Sequence, residues 1–264
     1  MSYCRYQRQN VAFYGQIENV HGGATITRTL ARAPSSPADF QHGDRVEIPL
    51  DAVRLLAPAE PTKIVCIGRN YREHAKELNH PIPSEPLFFL KPPSALIGPG
   101  DEIRRPNDLS QRVDHEGELG VVIGRRCYRL SPNADVRPYI LGYTCINDVT
   151  ARDLQEKDGQ WTRAKGFDTF CPVGPLVVKE LDPWKGVAVQ TRVNGELRQN
   201  GTTADFLFPL DLLIRFISRV MTLEPGDLIA TGTPAGVGPL QPGDTVEVTV
   251  GGVGTLKNSV VNIG

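Results

Sequence analysis

Apolar residues along the chain fall in short runs bounded by glycine, proline or asparagine. Runs of this length and punctuation predict strands. VAFYGQIEN and ATITRTLA are β-prone segments divided by His21-Gly22-Gly23, a hairpin break. Gly43-Asp44 marks another turn, followed by VEIPL. KIVCIG (63–68), LFFLK, ELGVVIG, YILGYTCIND and VGPLVV are further strand candidates, and VAVQTRVNGELR reads as a hairpin about Asn194-Gly195. Two segments carry helical spacing instead. NYREHAKEL (70–78) repeats Tyr71, Ala75 and Leu78 on one face, with Asn70 placed to cap it. PLDLLIRFISRVM (209–221) aligns Leu210, Leu213, Ile214, Ile217 and Met221 in a stripe, with Pro209 suited to its first turn. The pattern predicts a mainly β (α+β) chain, a folded-over mixed sheet rather than alternating βα units. The proline-rich APAEPT (57–62) reads as a linker, which predicts a small N-terminal β domain over 1–59 and a main domain over 60–264.

Composition narrows the function classes. A chain of 264 residues with 40% hydrophobic and 22% charged residues is long enough for a well-buried core. The net charge of −1 gives no electrostatic reason to bind nucleic acid or an anionic membrane. The five cysteines are scattered without a C-x-x-C pair, which disfavours a disulfide framework or a zinc site. Cys66 and Cys145 sit in apolar runs as reduced thiols, which fits a cytoplasmic location. MSYCRYQRQNV lacks the apolar core of a signal peptide, and no apolar run reaches the ~18 residues of a membrane span. No G-x-G-x-x-G, P-loop or G-x-S-x-G occurs, and HEGEL (115–119) ends in Leu119 where a zincin needs histidine.

The chemistry concentrates on carboxylates. Glu116 and Glu118 stand one residue apart before an apolar run, so on a strand they share a face. Two such acids repel unless a positive charge lies between them, and hard divalent cations take oxygen ligands. Asp148, at the end of YTCIND, is placed to supply a third. Gly117 and Gly120 are expected to leave space around the pair. A solvent-facing edge strand would carry the same E-x-E, and spacing alone does not separate the two readings. His74 and Glu77, at i and i+3, share a helix face, where a carboxylate can orient an imidazole. His115 is expected to point away from Glu116, and His21, His42 and His80 stand in loop contexts without partners.

GRNYREHAKEL, FFLKPPSALIGPGDEI, DHEGELGVVIG, GYTCINDVTARDLQ, RAKGFDTFCPVGP and PGDLIATGTPAGVGPLQPGD occur in this order across about residues 60 to 260. Together they resemble the fumarylacetoacetate hydrolase superfamily. The resemblance implies a mixed β-sandwich roll, usually homodimeric, with the small N-terminal β unit as an addition. It implies Mg²⁺ (or Mn²⁺) on Glu116, Glu118 and Asp148. It implies Lys165 at the substrate or bound anion, His74 and Glu77 as the acid–base pair, and Arg69, Tyr71, Gln155 and Thr233 around the substrate, a small 2-oxo or enol acid. The expected common step is formation of an enolate. Acylpyruvate-type C–C hydrolysis is the first expectation. Isomerisation of a 2-hydroxy-dienedioate comes next, then tautomerisation or decarboxylation of oxaloacetate. A non-catalytic metal- or ligand-binding member is the alternative of a different class.

Overall fold

The computed structural model describes residues 1–79 and 81–263. The first segment holds β1 (Ser2–Arg8), β2 (Val11–Val20), β3 (Gly23–Leu30), β4 (Asp44–Pro49) and β5 (Arg54–Leu56). There follow β6 (Ile64–Gly68), α1 (Arg72–Glu77), β7 (Leu87–Lys91), β8 (Leu96–Ile97), β9 (Glu102–Pro106), β10 (Val113–His115) and β11 (Gly117–Ile123). Next come β12 (Ile140–Asn147), β13 (Thr150–Ala151), α2 (Arg152–Asp158), α3 (Thr162–Lys165) and β14 (Cys171–Val178). The chain closes with β15 (Ala188–Val193), β16 (Glu196–Thr202), α4 (Leu210–Val220), β17 (Leu228–Ala230), β18 (Gly238–Pro239), β19 (Thr245–Val250) and β20 (Gly254–Ile263).

The largest sheet runs β4-β3-β2-β1-β14-β12-β11-β17-β6-β7, with β5 on β1 and β8 on β14. A second runs β16-β15-β19-β20-β9, and a small third runs β13-β10-β18. Pairing is mixed: β17 lies parallel to β6 and β20 parallel to β9, whereas β11 and β12 are antiparallel. The main core lies where the first two sheets face each other. Leu119, Val121 and Cys145 from one meet Val189, Val248 and Val250 from the other, and α4 adds Leu213, Ile214 and Ile217. This is the mainly β, mixed-sheet architecture that the alternating short runs predict, with the apolar stripe of α4 buried as expected. The Asn194-Gly195 hairpin also forms, both residues taking the positive φ that a tight primed turn requires.

Two local expectations change, and two short helices were not anticipated. APAEPT does not hang free: Ala57, Pro58, Ala59 and Pro61 are buried, and Asp227 accepts from Thr62 N (3.0 Å), Thr62 Oγ1 (2.7 Å) and Lys63 N (3.1 Å). Small apolar residues pack as readily as they join, so composition alone misreads them. The large sheet is continuous between β1 and β14 through Ser2↔Val178 and Tyr3↔Val177. Asn70 does not cap α1, where Tyr71 stands before the helix without a side-chain cap. Its amide instead accepts from Phe208 N (2.8 Å) and donates to Thr231 O (2.8 Å) and Phe208 O (3.3 Å). Finally, α2 and α3 were not legible, because RDLQEKD and TRAK are too short and polar to show a stripe.

Candidate active site

The antiparallel pairing of β11 with β12 builds the acidic centre. Glu118 is the second residue of β11 and Glu116 directly precedes the strand, so alternation turns both to one side. Gly117 lies opposite Asn147, and Asp148 N donates to Glu116 O at 2.8 Å, which brings Asp148 alongside. Ligand oxygens of Glu116, Glu118 and Asp148 lie within 4.8 Å of one another, all buried. The glycines do not leave space as expected. A Cβ at Gly117 would meet Thr191 Oγ1 at 2.0 Å, and one at Gly120 would meet Ile146 at 2.6 Å. Sheet packing fills these places, and packing explains the glycines. The same holds beside Lys165, where a Cβ at Gly166 would meet Thr162 O at 2.5 Å.

Burying three acids at this separation demands compensation. Lys165 Nζ bridges Glu116 Oε2 (2.8 Å) and Asp148 Oδ2 (2.6 Å), and Lys91 Nζ binds Asp148 Oδ1 (2.7 Å) and Val149 O (3.0 Å). Arg152 joins Glu116 Oε1 (2.5 Å) to Asp114 Oδ2 (3.0 Å). Burial would raise the Glu116 carboxyl, but Lys165 and Arg152 hold it well below the usual carboxylate range. Burial works against the Lys165 ammonium too, yet Asp148 and Glu116 push it above its ordinary value. Glu118 differs. Among the described residues its carboxylate has a single hydrogen-bond partner, Gly232 N (2.7 Å), and no cation pairs with it. Burial, then the Asp148 and Glu116 charges, push its carboxyl well above the usual range.

A divalent cation fits this donor set on two grounds. The donors are three hard oxygens from separate carboxylates, and one of the three lacks the positive charge that its burial calls for.

His74 is 5% exposed and Glu77 lies over it. Glu77 Oε2 meets His74 Nδ1 at 3.2 Å, and Glu77 Oε1 accepts from Gly236 N at 3.0 Å. Partial burial would raise the Glu77 carboxyl, but the His74 ring and the Gly236 amide hold it below its ordinary value. Among the described residues His74 Nε2 takes no hydrogen bond. The ring lines the same cavity as Glu116, Glu118, Asp148 and Lys165.

Arg69, Gln155 and Thr233 line this cavity too. Gln155 Oε1 accepts from Arg152 at 2.6 Å. The Thr233 hydroxyl donates to Gly117 O (2.9 Å) and accepts from Gln199 Nε2 (2.6 Å), so its proton is already committed. Tyr71 is not brought to the cavity wall; it is buried edge-on against Phe206 and borders a separate groove with Arg72 and Pro234. His115 joins Gln199 rather than the acidic centre, with Nδ1 3.1 Å from Gln199 Oε1. His21 and His42 are exposed, and His80 lies outside the described residues. Sequence reasoning missed Lys91, Arg152, Trp161 and Gln199 as parts of the site or its frame. Lys91 left one signal, a lysine closing the apolar run LFFLK.

Comparison with known proteins identifies the family. Residues 63–261 match the family model for the fumarylacetoacetate (FAA) hydrolase C-terminal region, and residues 1–58 match an Rv2993c-like N-terminal model. The chain belongs to the fumarylacetoacetate hydrolase family, whose members are typically enzymes. A protein of Archaeoglobus fulgidus is 55% identical over 220 residues, 83% of this chain and 87% of its own. Oxaloacetate tautomerase YisK of Bacillus subtilis is 43% identical over 224 residues, 81% of this chain and 76% of its own. Among solved structures, 2-hydroxyhepta-2,4-diene-1,7-dioate isomerase from Mycobacterium marinum superposes with a TM-score of 0.88 at 44% identity, covering 100% of this chain and 99% of that one.

Proposed function

We propose that this chain is a divalent-cation-dependent enzyme that moves a proton at C3 of a small 2-oxo acid, interconverting keto and enol forms or shifting a double bond. One observation carries the reading: an imidazole held by a carboxylate enters the same cavity as three clustered acids and a buried lysine. Glu116, Glu118 and Asp148 would hold Mg²⁺ or Mn²⁺, which when bound supplies a Lewis acid for the carboxylate and neighbouring oxygen of the substrate.

The chain's own groups do the rest. Lys165 holds a full positive charge at the floor of the cavity, where it favours an oxygen that gains negative charge. His74 takes the C3 proton at Nε2 and returns it, while Glu77 fixes the ring through Nδ1. Arg152, anchored on Asp114 and Glu116, orients Gln155 toward the substrate. The site would be completed by Arg69 and Thr233 at its wall, with a small enol acid as ligand.

The sequence favours acylpyruvate hydrolysis, and the His74–Glu77 pair supports that second reading because it can also activate water. Similarity to an isomerase and an oxaloacetate tautomerase supports ranking proton movement ahead of hydrolysis. The discriminating experiment follows enol-oxaloacetate and acetylpyruvate by ultraviolet absorbance with Mg²⁺ present. The first reading expects rapid ketonisation of oxaloacetate, lost in Glu116→Ala, without pyruvate release from acetylpyruvate. Stoichiometric pyruvate from acetylpyruvate would transfer the proposal to hydrolysis. Inertness toward both would return the chain to a binding role. We propose further that residues 1–59 and 60–264 act as an accessory and a catalytic unit, and that the protein works as a cytoplasmic homodimer. Among the described residues no helix is long and apolar enough to cross a membrane.

A further inference from the structure

Gln199, on β16, is fully buried and uses every hydrogen-bonding capacity of its side chain. Its Oε1 accepts from Gly117 N (2.9 Å) and stands 3.1 Å from His115 Nδ1. Its Nε2 donates to Thr233 Oγ1 (2.6 Å) and Pro234 O (2.7 Å). Two of these partners fix the amide's orientation: Pro234 O can only accept and Gly117 N can only donate. His115 Nδ1 therefore carries a proton, and the Thr233 hydroxyl, receiving from Gln199, turns its own proton to Gly117 O (2.9 Å). Gly117, Gln199 and Thr233 close a ring of three hydrogen bonds.

The two sides of that ring belong to different halves of the site. Gly117 lies between Glu116 and Glu118. Thr233 and Pro234 open the loop whose Gly232 N holds Glu118 and whose Gly236 N holds Glu77. That loop rests directly on β16: a Cβ at Gly236 would meet Arg198 O at 2.0 Å, and one at Gly201 would meet Pro234 at 2.5 Å.

We propose that Gln199 is a positioning residue that sets the spacing between the cation-binding acids and the His74–Glu77 pair. It does not line the cavity. Its carbonyl side fixes the acid-bearing strand, and its amide side fixes the loop that seats Glu77. The proposal rests on the cation-dependent reading above, and Mn²⁺ binding by the wild-type protein checks that reading separately.

The test measures Mn²⁺ affinity by electron paramagnetic resonance, C3 deuterium exchange of a 2-oxo acid, and thermal stability. Gln199→Met removes all four contacts at similar length. Gln199→Glu keeps acceptors for Gly117 and His115 but cannot donate to Thr233 and Pro234. Ser218→Ala, a buried change whose partners Leu130 and Arg215 lie outside the cavity wall, serves as the stability control. Gln199→Met is expected to weaken Mn²⁺ binding about 10- to 100-fold, the usual loss when a group supporting metal ligands is removed. Gln199→Glu is expected to bind Mn²⁺ within about threefold of wild type while exchange falls at least ~10-fold, because the damage is confined to the base side. Should Gln199→Met fail to fold, the split in Gln199→Glu decides the matter. Wild-type affinity and exchange in either folded variant, with a stability loss like that of Ser218→Ala, would overturn the proposal. Absence of Mn²⁺ binding by the wild type would instead overturn the reading on which it rests.

Discussion

Replacing Glu118 by glutamine should make the cation-free protein more stable and abolish its response to Mg²⁺. Glu118 is 1% exposed, its ligand oxygen lies within 4.8 Å of those of Glu116 and Asp148, and no cation pairs with it among the described residues. Two unit charges at that separation repel by about 3–4 kcal/mol at an effective dielectric of about 20. Lys165 offsets part of this. A net relief of roughly 1–3 kcal/mol is therefore expected at alkaline pH, where Glu118 is ionised, or roughly 3–10 °C in Tm for a chain of this size. Glutamine keeps an acceptor for Gly232 N, so the loop contact survives. The pH sign follows from the raised carboxyl. Its stability contribution is complete below the ordinary carboxylate value and is lost as pH rises through the folded value. The gap between wild type and Glu118→Gln should therefore widen from acid toward alkaline pH in EDTA. With Mg²⁺ at about a hundred times its Kd the wild type should gain about 2.7 kcal/mol, and the variant almost none. Scanning calorimetry with EDTA or Mg²⁺ at several pH values measures all of this. A variant less stable than wild type in EDTA, or one that Mg²⁺ stabilises equally, would refute the reasoning.

Three other substitutions probe separate parts of the account. His74→Ala should leave Mn²⁺ affinity within a few-fold but lower C3 exchange by ~10²–10⁴-fold; equal loss of both, by calorimetric titration and NMR, would remove the acid–base assignment. Lys165→Met breaks a buried ion-pair cluster and should cost about 3–5 kcal/mol in urea unfolding with EDTA, a loss that Mg²⁺ should partly restore; no loss would mean that the bridge to Glu116 and Asp148 carries little. Asn70→Ala should cost clearly more than the ~1 kcal/mol of a lost helix cap, because it strips partners from Phe208 and Thr231 backbone groups; a loss at or below cap size would contradict the clamp.

Much of the fold was legible because it rests on short-range pattern. Asn194-Gly195 dictates its own turn, and the 3.6-residue stripe of Leu210 to Ile217 can face only a core. E-x-E with Asp148 could be paired from motif order, and β11 against β12 makes that pairing physical. What stayed hidden depends on distance in sequence. Lys91 reaches Asp148 across 57 positions, Gln199 reaches Gly117 across 82, and Asn70 reaches Phe208 across 138. Nothing local marks such partners: a buried clamp and a surface amide are the same residue until the sheets fold together. The glycines illustrate the converse, since Gly117 suggested room for a ligand while the packing of Thr191 is what excludes a side chain there.

The most direct test of cation-dependent proton transfer is NMR of 2-oxobutyrate in D₂O with the wild-type protein, titrated with Mg²⁺. The account predicts deuterium entering C3 at a rate that saturates with Mg²⁺, vanishes with EDTA and is absent in Glu116→Ala. Exchange at the uncatalysed rate with Mg²⁺ present, or exchange indifferent to EDTA and to Glu116, would contradict it.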